Sequence, residues 1–295
     1  MCKKQKAVQF TSNKKNLYNK LRPFYLIYKK AYSKLLQNVI TRRKLKQQEP
    51  NHKLNKKLIV SLTSFPPRFK TLHLTVISLL TQKVVPDKLI LWIATEDYNK
   101  LPNQVIELQN FGLTIKKCEN IYSYKKIIPT LNIHPESFIA TADDDVYYKK
   151  NWLRELVEEY RKSQSNVICH RAHMIILNDS QVPVEYSKWH HKINKRMTSK
   201  LIFPTGVGGV LYAPGAFHND VMKKDIFTKL CPTADDVWLY WMHRLNKSKI
   251  TTLGNYRYID WTGSQKKSLF NINSGPNGMN DIAIEKILAM YGFPE

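Results

Sequence analysis

The stretch Ser137-Phe-Ile-Ala-Thr-Ala-Asp-Asp-Asp145 joins a short apolar segment to three consecutive acidic residues. Residues 137–141 have the length and composition of a buried β-strand. Three adjacent carboxylates repel one another, so such a run favours either full solvent exposure or a bound cation. A solvated acidic turn is the alternative interpretation. Because the run follows a buried strand in a basic protein, we favour a site for Mn²⁺ or Mg²⁺, ions that take oxygen ligands.

The segments before this stretch alternate between two kinds of pattern. Helical spacing of apolar residues occurs over residues 68–82 and 101–110, between apolar segments rich in strand-forming residues at 58–62, 88–93, 113–117 and 137–141. This alternation predicts an α/β fold with a mostly parallel sheet flanked by helices. Ligands of such sheets bind beyond the carboxyl ends of the strands. Thr63 and the aspartate run both lie at such ends.

The positive charge is concentrated at the start of the chain. The 295 residues carry a net charge of +24, and residues 1–57 contribute +16 of it, with 17 Lys or Arg and a single acid, Glu49. The remaining residues carry only +8. This contrast predicts a basic amphipathic extension with its linker over residues 1–57 and one main domain over residues 58–295.

The basic extension contains a helical pattern. Its apolar residues recur every three or four positions, at Leu17, Leu21, Tyr25, Tyr28, Tyr32, Leu35, Leu36 and Val39. A basic amphipathic helix can lie on an anionic membrane surface. It can also pack its stripe on the main domain, and both interpretations stay open. Nucleic-acid binding is a third option, but no recognisable motif supports it and we expect no nucleic-acid partner.

Several classes of protein are disfavoured by what the sequence lacks. Residues 1–10 are too rich in lysine for a secretory signal, and no window approaches the ~20 apolar residues of a membrane span. The cysteines are scattered, so a disulfide framework or zinc site is not expected; they are Cys2, Cys118, Cys169 and Cys231. We therefore expect a cytoplasmic protein, either free or peripheral on the inner face of the plasma membrane.

An Asp-x-Asp motif at the end of a buried strand resembles the metal-binding signature of GT-A glycosyltransferases. Further blocks, in the same order, are similar to bacterial family-2-type enzymes of capsule or lipopolysaccharide synthesis: 60–68 (VSLTSFPPR), 78–82 (SLLTQ), 124–129 (YKKIIP), 206–212 (GVGGVLY) and 234–238 (ADDVW). The resemblance covers residues 58–246. It implies a GT-A, Rossmann-like catalytic domain of the hexosyltransferase type, acting with Mn²⁺ or Mg²⁺. The implied donor is a nucleotide sugar, with UDP-sugars favoured, and the implied acceptor is a glycan or a lipid-linked saccharide.

The resemblance also implies roles for the donor side. Thr63 and Arg68 would line the nucleotide pocket, although bracing the Pro66-Pro67 turn is an equal alternative for Arg68. Asp145 would hold the metal on the diphosphate, and Asp143 would contact the ribose and share the metal. Asp144 receives no role.

Basic and glycine residues complete the expected donor pocket. Lys125 or Lys126 could neutralise a phosphate as a point charge, and a solvated lysine is the alternative for either. Gly206, Gly208 and Gly209 lack a Cβ, so the backbone there can approach a sugar or adopt positive φ. A purely structural bend is the alternative. Residues 271–280, rich in Asn and Gly, are predicted to be a loop that could close over the donor.

Two interpretations compete for Asp235 and Asp236. The spacing Thr233-Ala-Asp-Asp236 is typical of a helix N-cap followed by acids that suit the helix dipole. In the enzymes that the chain resembles, an acidic pair after the glycine strand supplies the base. On that interpretation Asp236 deprotonates the acceptor hydroxyl, Asp235 orients the acceptor, and direct displacement inverts the anomeric carbon.

Two rival functions make different predictions. A sugar-phosphate nucleotidyltransferase shares a similar α/β core, but it is expected to carry a Gly-rich loop with Arg after the first strand. Residues 63–67 (TSFPP) contain no glycine, which argues against this class. A non-enzymatic basic binding protein, whether for membrane or nucleic acid, predicts no metal dependence and no effect of Asp145→Ala beyond charge.

Overall fold

An eight-stranded sheet forms the centre of the fold. The computed structural model describes residues 30–254, 259–261, 270–273 and 278–294, with Pro23, Phe24, Ile27 and Tyr28. Its strands are β1 (Leu58–Thr63), β2 (Lys88–Ala94), β3 (Leu113–Cys118), β4 (Phe138–Ala142), β5 (Val146–Tyr147), β6 (Val167–Cys169), β7 (Ala172–Met174), β8 (Met197–Thr198), β9 (Ile202–Pro204), β10 (Val210–Tyr212), β11 (Ile250–Thr252) and β12 (Ile259–Asp260).

The central sheet is mostly parallel. Its order is β3-β2-β1-β4-β10-β6-β11-β8, and the first four strands run in one direction. β10 is antiparallel to both of its neighbours, so β6 and β11 return to that direction, and β8 runs against β11. β5 pairs with β12 and β7 pairs with β9 in two small antiparallel sheets. The predicted α/β fold is confirmed, and the predicted strands correspond to β1–β4.

Helices cover the sheet on both faces. They are α1 (residues 30–41), α2 (Phe69–Leu80), α3 (Asn103–Ile106), α4 (Ile128–Ile133), α5 (Trp152–Ser163), α6 (Lys224–Leu230), α7 (Asp235–Leu245), α8 (Phe270–Asn273) and α9 (Met279–Tyr291). The helix predicted over residues 101–110 is shorter than expected, because α3 tightens into a 3₁₀ segment at Glu107–Phe111 before Gly112 adopts a φ of 105°. The loop predicted at 271–280 is wrong at both ends, where α8 and α9 lie, and residues 274–277 lie outside the described residues.

Each face of the sheet has its own core. On β1, Val60 and Leu62 pack with residues of α2 and α5, whereas Ile59 points to the other face. The second core contains the aromatic side chains of α7, among them Trp238, Tyr240 and Trp241, all buried. These rings are therefore core residues, and they are too buried to stack on a ligand.

The described part of the basic extension packs on the main domain along one helical face. Ser33, Leu36 and Ile40 of α1 are buried, and the Ser33 hydroxyl donates to the Asp260 carbonyl at 3.3 Å. Leu17, Leu21 and Tyr25 of the predicted stripe lie outside the described residues. The interpretation of α1 as a packed helix therefore holds for this face. None of the helices in the described part of the chain has the length and hydropathy needed to cross a bilayer.

Candidate active site

The predicted site residues meet at the carboxyl edge of the parallel strands. β1 and β4 are paired in register up to Leu62 and Ala142, so Thr63 and the aspartate run leave the sheet side by side. β10 runs the opposite way beside β4, with Val210 opposite Thr141. The glycine segment that precedes β10 therefore arrives at the same edge. This is where α/β sheets bind their ligands.

Asp144, which the sequence left without a role, holds the site together. Its carboxylate accepts hydrogen bonds from the Ser64 hydroxyl and from Arg68, whose Nη1 lies 2.6 Å away. Its main-chain carbonyl accepts a bond from the Thr75 hydroxyl at 2.8 Å. Asp144 is buried, so these bonds replace the water that its charge loses. The residue ties the end of β4 to the turn after β1 and to α2.

Arg68 carries the positive charge that makes this arrangement stable. The same Nη1 lies 3.3 Å from Asp145 Oδ2, and the guanidinium also lies over the Phe65 ring. Burial works against the charge of Arg68, but Asp144 and Asp145 outweigh it and raise its pKa. Arg68 thus reaches the aspartates, a contact that neither sequence-based interpretation named.

The carboxyl group of Asp145 is buried, which disfavours its charged form. Burial raises its pKa to about 8, and Asp144 adds to the effect, whereas Arg68 opposes it. Its main-chain carbonyl accepts a hydrogen bond from the Trp261 amide at 3.0 Å. A bound cation would favour the charged form that burial penalises.

Replacing Asp144 by asparagine should mainly lower stability. The amide keeps the shape of the side chain but removes the charge that Arg68 and Ser64 bind, leaving Arg68 with only the longer contact to Asp145. Breaking one partner of a buried pair costs about 3–5 kcal/mol, so we expect a clearly lower free energy of unfolding in urea. An Asp179→Asn control changes an exposed carboxylate and should leave the urea midpoint unchanged. Equal midpoints for the two variants would contradict the role given to Asp144.

A second polar cluster is centred on Lys126. Its buried ammonium lies 3.0 Å from Asp235 Oδ2 and 3.4 Å from Asp143 Oδ1. Burial lowers the pKa of Lys126, but Asp235 and Asp143 outweigh it and raise the pKa well above its ordinary value. Lys126 therefore stays charged and joins the end of β4 to the start of α7.

Asp236 is held by the glycine segment. Both of its carboxylate oxygens accept from the Gly206 amide, at 3.0 and 3.1 Å. Burial and the neighbouring Asp235 raise its pKa to about 7, against the lowering effects of Lys126 and the Gly206 hydrogen bond. A carboxylate of this pKa can take up a proton near neutral pH, as a general base must.

The helix-cap interpretation of this segment is wrong in its details. α7 begins at Asp235 with Ala234 at the cap position, and the cap residue makes no side-chain hydrogen bond. The Thr233 hydroxyl instead donates to Asn273 Oδ1 at 2.9 Å. Asp235 and Asp236 still occupy the first turn, where the helix dipole favours negative charge.

Gly206 is required by the crowding between the two clusters. A Cβ at this position would lie 2.8 Å from Lys126 Nζ, 3.2 Å from Asp236 Oδ1 and 3.7 Å from Asp143 Oδ1. Alanine would therefore push the Lys126 ammonium away from its carboxylates. We expect Gly206→Ala to lower activity about 10-fold to 100-fold through displaced site groups.

A matched control for Gly206→Ala is Gly215→Ala. Gly215 has no atom within 4 Å of the position that a Cβ would take, although its φ of 71° is strained for alanine. It should lower stability modestly and leave kcat of the folded protein unchanged. Unchanged kcat in Gly206→Ala as well would show that this crowding does not position the site.

The other predicted donor residues are not all brought to these clusters. The Thr63 hydroxyl donates to the Trp92 carbonyl at 2.8 Å, and Lys125 Nζ lies 3.1 Å from Asn120 Oδ1. Lys125 is buried rather than solvated, and burial lowers its pKa. Of the two lysines, Lys126 is the one that contacts the site carboxylates.

Gly208 and Gly209 have a structural reason to be glycine. Both have positive φ, at 103° and 86°. The Trp152 indole donates to the Gly208 carbonyl at 2.7 Å, and a Cβ on Gly209 would lie 2.5 Å from the Trp152 ring. The bend they form packs the glycine segment against α5. Their predicted contact with the donor remains a prediction.

The oxygen atoms of the aspartate run are the kind of ligand that a divalent cation takes. Within the described ranges, no group of three or more His, Cys, Asp and Glu side chains is arranged to hold a metal. The carboxylates of Asp143 and Asp145 nevertheless lie among acids that outnumber the cations Arg68 and Lys126. A cation held by these oxygens would offset that excess of negative charge.

The sequence did not predict that β12 borders the aspartate run, where it pairs with β5 to form a two-stranded wall. Asp260 is opposite Val146 in the β5–β12 pair, and its charge contributes to the raised pKa of Asp145. The Trp261 indole donates to the Thr75 hydroxyl at 2.7 Å, the same hydroxyl that binds the Asp144 carbonyl. An acid followed by tryptophan was the signal in the sequence, but a two-residue strand has no periodicity to detect.

Known structures resemble this chain only distantly. No protein-family model and no curated protein matches it. The crystal structure of S. aureus TarS 1-349 is 16% identical with a TM-score of 0.45, covering 68% of this chain and 59% of that one; its complex with UDP gives the same values. The mannosyltransferase PcManGT from Pyrobaculum calidifontis, in complex with GDP-Man and Mn²⁺, is 12% identical with a TM-score of 0.32, covering 52% and 46%. This chain thus matches less than two thirds of each.

Proposed function

We propose that this protein is a metal-dependent glycosyltransferase that moves a sugar from a nucleotide sugar, with UDP-sugars favoured, to a glycan or lipid-linked acceptor. The pathway would be surface polysaccharide synthesis, at the inner face of the plasma membrane. The observation that supports this best is the pair of acidic clusters joined by Lys126. One cluster offers oxygen ligands at a strand end, and the other offers Asp236 with a pKa of about 7.

The donor would lie over the end of β4. Asp145 and Asp143 would hold Mn²⁺ or Mg²⁺, which supplies charge stabilisation to a departing diphosphate when bound. Lys126 is charged and close enough to Asp143 to add to that stabilisation. Thr63, Arg68, Lys125, Gly208 and Gly209 would shape the rest of the pocket.

The acceptor would approach from the side of α7. Its hydroxyl oxygen would form the new bond to the anomeric carbon while the bond from that carbon to the diphosphate oxygen breaks. The hydroxyl proton would pass to the Asp236 carboxylate, which the Gly206 amide holds in place. Asp235, fixed by Lys126, would orient the acceptor. A single displacement of this kind inverts the anomeric configuration.

One assay tests this function. The purified protein is incubated with a panel of nucleotide sugars and Mn²⁺, and release of nucleoside diphosphate is followed with and without saccharide acceptors. Release with at least one donor, lost with EDTA and in Asp145→Ala, is the expected result. Absence of release from every donor, or release that Asp145→Ala leaves unchanged, would refute the proposal. Pyrophosphate formed from a sugar phosphate and a nucleoside triphosphate would identify a nucleotidyltransferase instead.

A further inference from the structure

Helix α1 has a second apolar face that the main domain does not bury. Phe24, Ile27 and Tyr28, just before α1, are 71%, 66% and 63% exposed, and Leu35 within it is 58% exposed. Tyr32 and Val39 are also exposed. At helical spacing these side chains form one stripe, distinct from the buried face at Ser33, Leu36 and Ile40. We call the six exposed residues the apolar stripe.

Basic side chains border the apolar stripe. Lys30 and Lys34 lie on α1 one turn apart and are exposed, and Arg42, Lys44 and Lys46 are exposed just after it. These belong to the segment 1–57, which carries +16. An exposed apolar patch with a polar rim is typical of an interaction surface. Because this rim is basic, it favours a partner surface that carries negative charge.

We infer that α1 lies on an anionic lipid bilayer, with the apolar stripe in the boundary between headgroups and acyl chains. In that position the neighbouring lysines reach the lipid phosphates. A second copy of the chain is a poorer occupant, because pairing the stripes would bring two strongly basic segments together. Nucleic acid would satisfy the lysines but would give the stripe no apolar partner. This lipid binding does not depend on the proposed transferase activity.

The attachment of α1 fixes how the domain would sit on the bilayer. Ser33 contacts Asp260 of β12, and Arg43 donates to Tyr147 of β5 at 3.2 Å and to Thr81 after α2. The residue after Asp260, Trp261, contacts the main chain of Asp145. The helix therefore lies against the same two-stranded wall that borders the aspartate run. If the proposed function holds, this brings the site close to an acceptor that is itself anchored in lipid.

Vesicle sedimentation of the full chain tests the inference. We expect the protein to pellet with vesicles of phosphatidylcholine mixed with phosphatidylglycerol, to pellet far less with phosphatidylcholine alone, and to be released by salt. Leu35→Glu/Val39→Glu should weaken the partition coefficient by more than about tenfold, because two apolar side chains leave the lipid. The matched control is Ile106→Glu/Met290→Glu, which adds the same charges at residues 40% and 54% exposed elsewhere. The control should bind like the wild type.

Three outcomes would overturn the inference. The first is binding to neutral vesicles as strong as binding to anionic vesicles. The second is an equal loss of vesicle binding in Leu35→Glu/Val39→Glu and in its control. The third is a chain that dimerises through the apolar stripe in solution and does not bind vesicles. Because Leu35→Glu/Val39→Glu can weaken the packing of α1, melting temperatures accompany each measurement. Lys30→Gln/Lys34→Gln provides a second variant that leaves the apolar faces unaltered, and it should selectively weaken binding to the anionic vesicles. Loss of transferase activity in solution would count against the proposed function, not against lipid binding.

Discussion

Asparagine at position 236 is expected to lower kcat by about 100-fold to 10,000-fold, the usual contribution of a general base. The amide keeps an oxygen that can accept from the Gly206 amide, so the glycine segment should hold its position. It cannot take up the acceptor proton. KM for the donor should change far less than kcat, because the donor is proposed to lie on the opposite side of Lys126 and to be coupled to Asp236 only through that shared ammonium. Steady-state kinetics with the best donor and acceptor measure both constants.

The pH profile gives this prediction a second readout. Because the pKa of Asp236 is raised to about 7, the fraction of competent base increases as pH rises through 7 and levels off above it. The wild-type kcat should follow that curve, and the residual rate of Asp236→Asn should be flat over the same range. A wild-type profile without an inflection near neutrality would argue for another base.

Stability should respond to pH in the opposite direction from kcat. The folded pKa of Asp236, about 7, lies above its ordinary value of 3.8, so between these values the folded state holds a proton that the unfolded state has lost. Raising pH through this window therefore removes stability. Asp236→Asn should lose less stability than the wild type between pH 4 and pH 7, whereas Asp179→Asn should follow the wild type. Melting temperatures across the window measure the difference.

Asp145→Asn removes the carboxylate charge, and we expect it to reduce activity more than about 100-fold and to abolish the response to added Mn²⁺. The proposed ligand is lost, and loss of even supporting groups around a metal typically costs about 10-fold to 100-fold. The folded protein should be at least as stable, because Asp145 is a buried carboxyl whose pKa is raised to about 8. Activity as a function of Mn²⁺ concentration and binding of Mn²⁺ with nucleoside diphosphate are the two measurements.

Controls separate this result from general damage. Asp225→Asn removes an exposed carboxylate on α6 and should leave the Mn²⁺ response intact. Asp144→Asn should lose stability, the reverse of the pattern expected at Asp145. If Asp145→Asn retains a normal Mn²⁺ titration, Asp145 is not a metal ligand.

Much of the fold could be predicted because its central strands are buried on both faces. Strands β1, β2 and β4 are short apolar runs that are almost wholly buried, whereas β3 is a half-buried edge strand. The sequence predicted all four to within about two residues. The convergence of the aspartate run and the first strand end followed from parallel pairing alone. A helix starting near Asp236 was also predicted, from the cap-like spacing at residues 233–236, and α7 begins at Asp235.

The contacts within the site could not be predicted, because they depend on tertiary position. Three adjacent aspartates look alike in sequence, yet Asp144 binds Ser64 and Arg68 while Asp143 faces Lys126. Lys125 and Lys126 are neighbours in one 3₁₀ turn and point to different partners. Thr233 had the spacing of a helix cap, but its hydroxyl donates a hydrogen bond to Asn273, which is distant in sequence.

The shared ammonium of Lys126 makes the two ends of the site thermodynamically linked. One cation neutralises both Asp143 and Asp235, and Asp236 lies beside the second of these. A cationic ligand that displaces Lys126 from Asp143 would let the Lys126 ammonium interact more strongly with the acids of α7. That interaction would lower the pKa of Asp236. By reciprocity, ionisation of Asp236 must raise the affinity of that ligand for Asp143 by the same factor. Ligand affinity at Asp143 and the pKa of Asp236 are then two measures of a single coupling free energy.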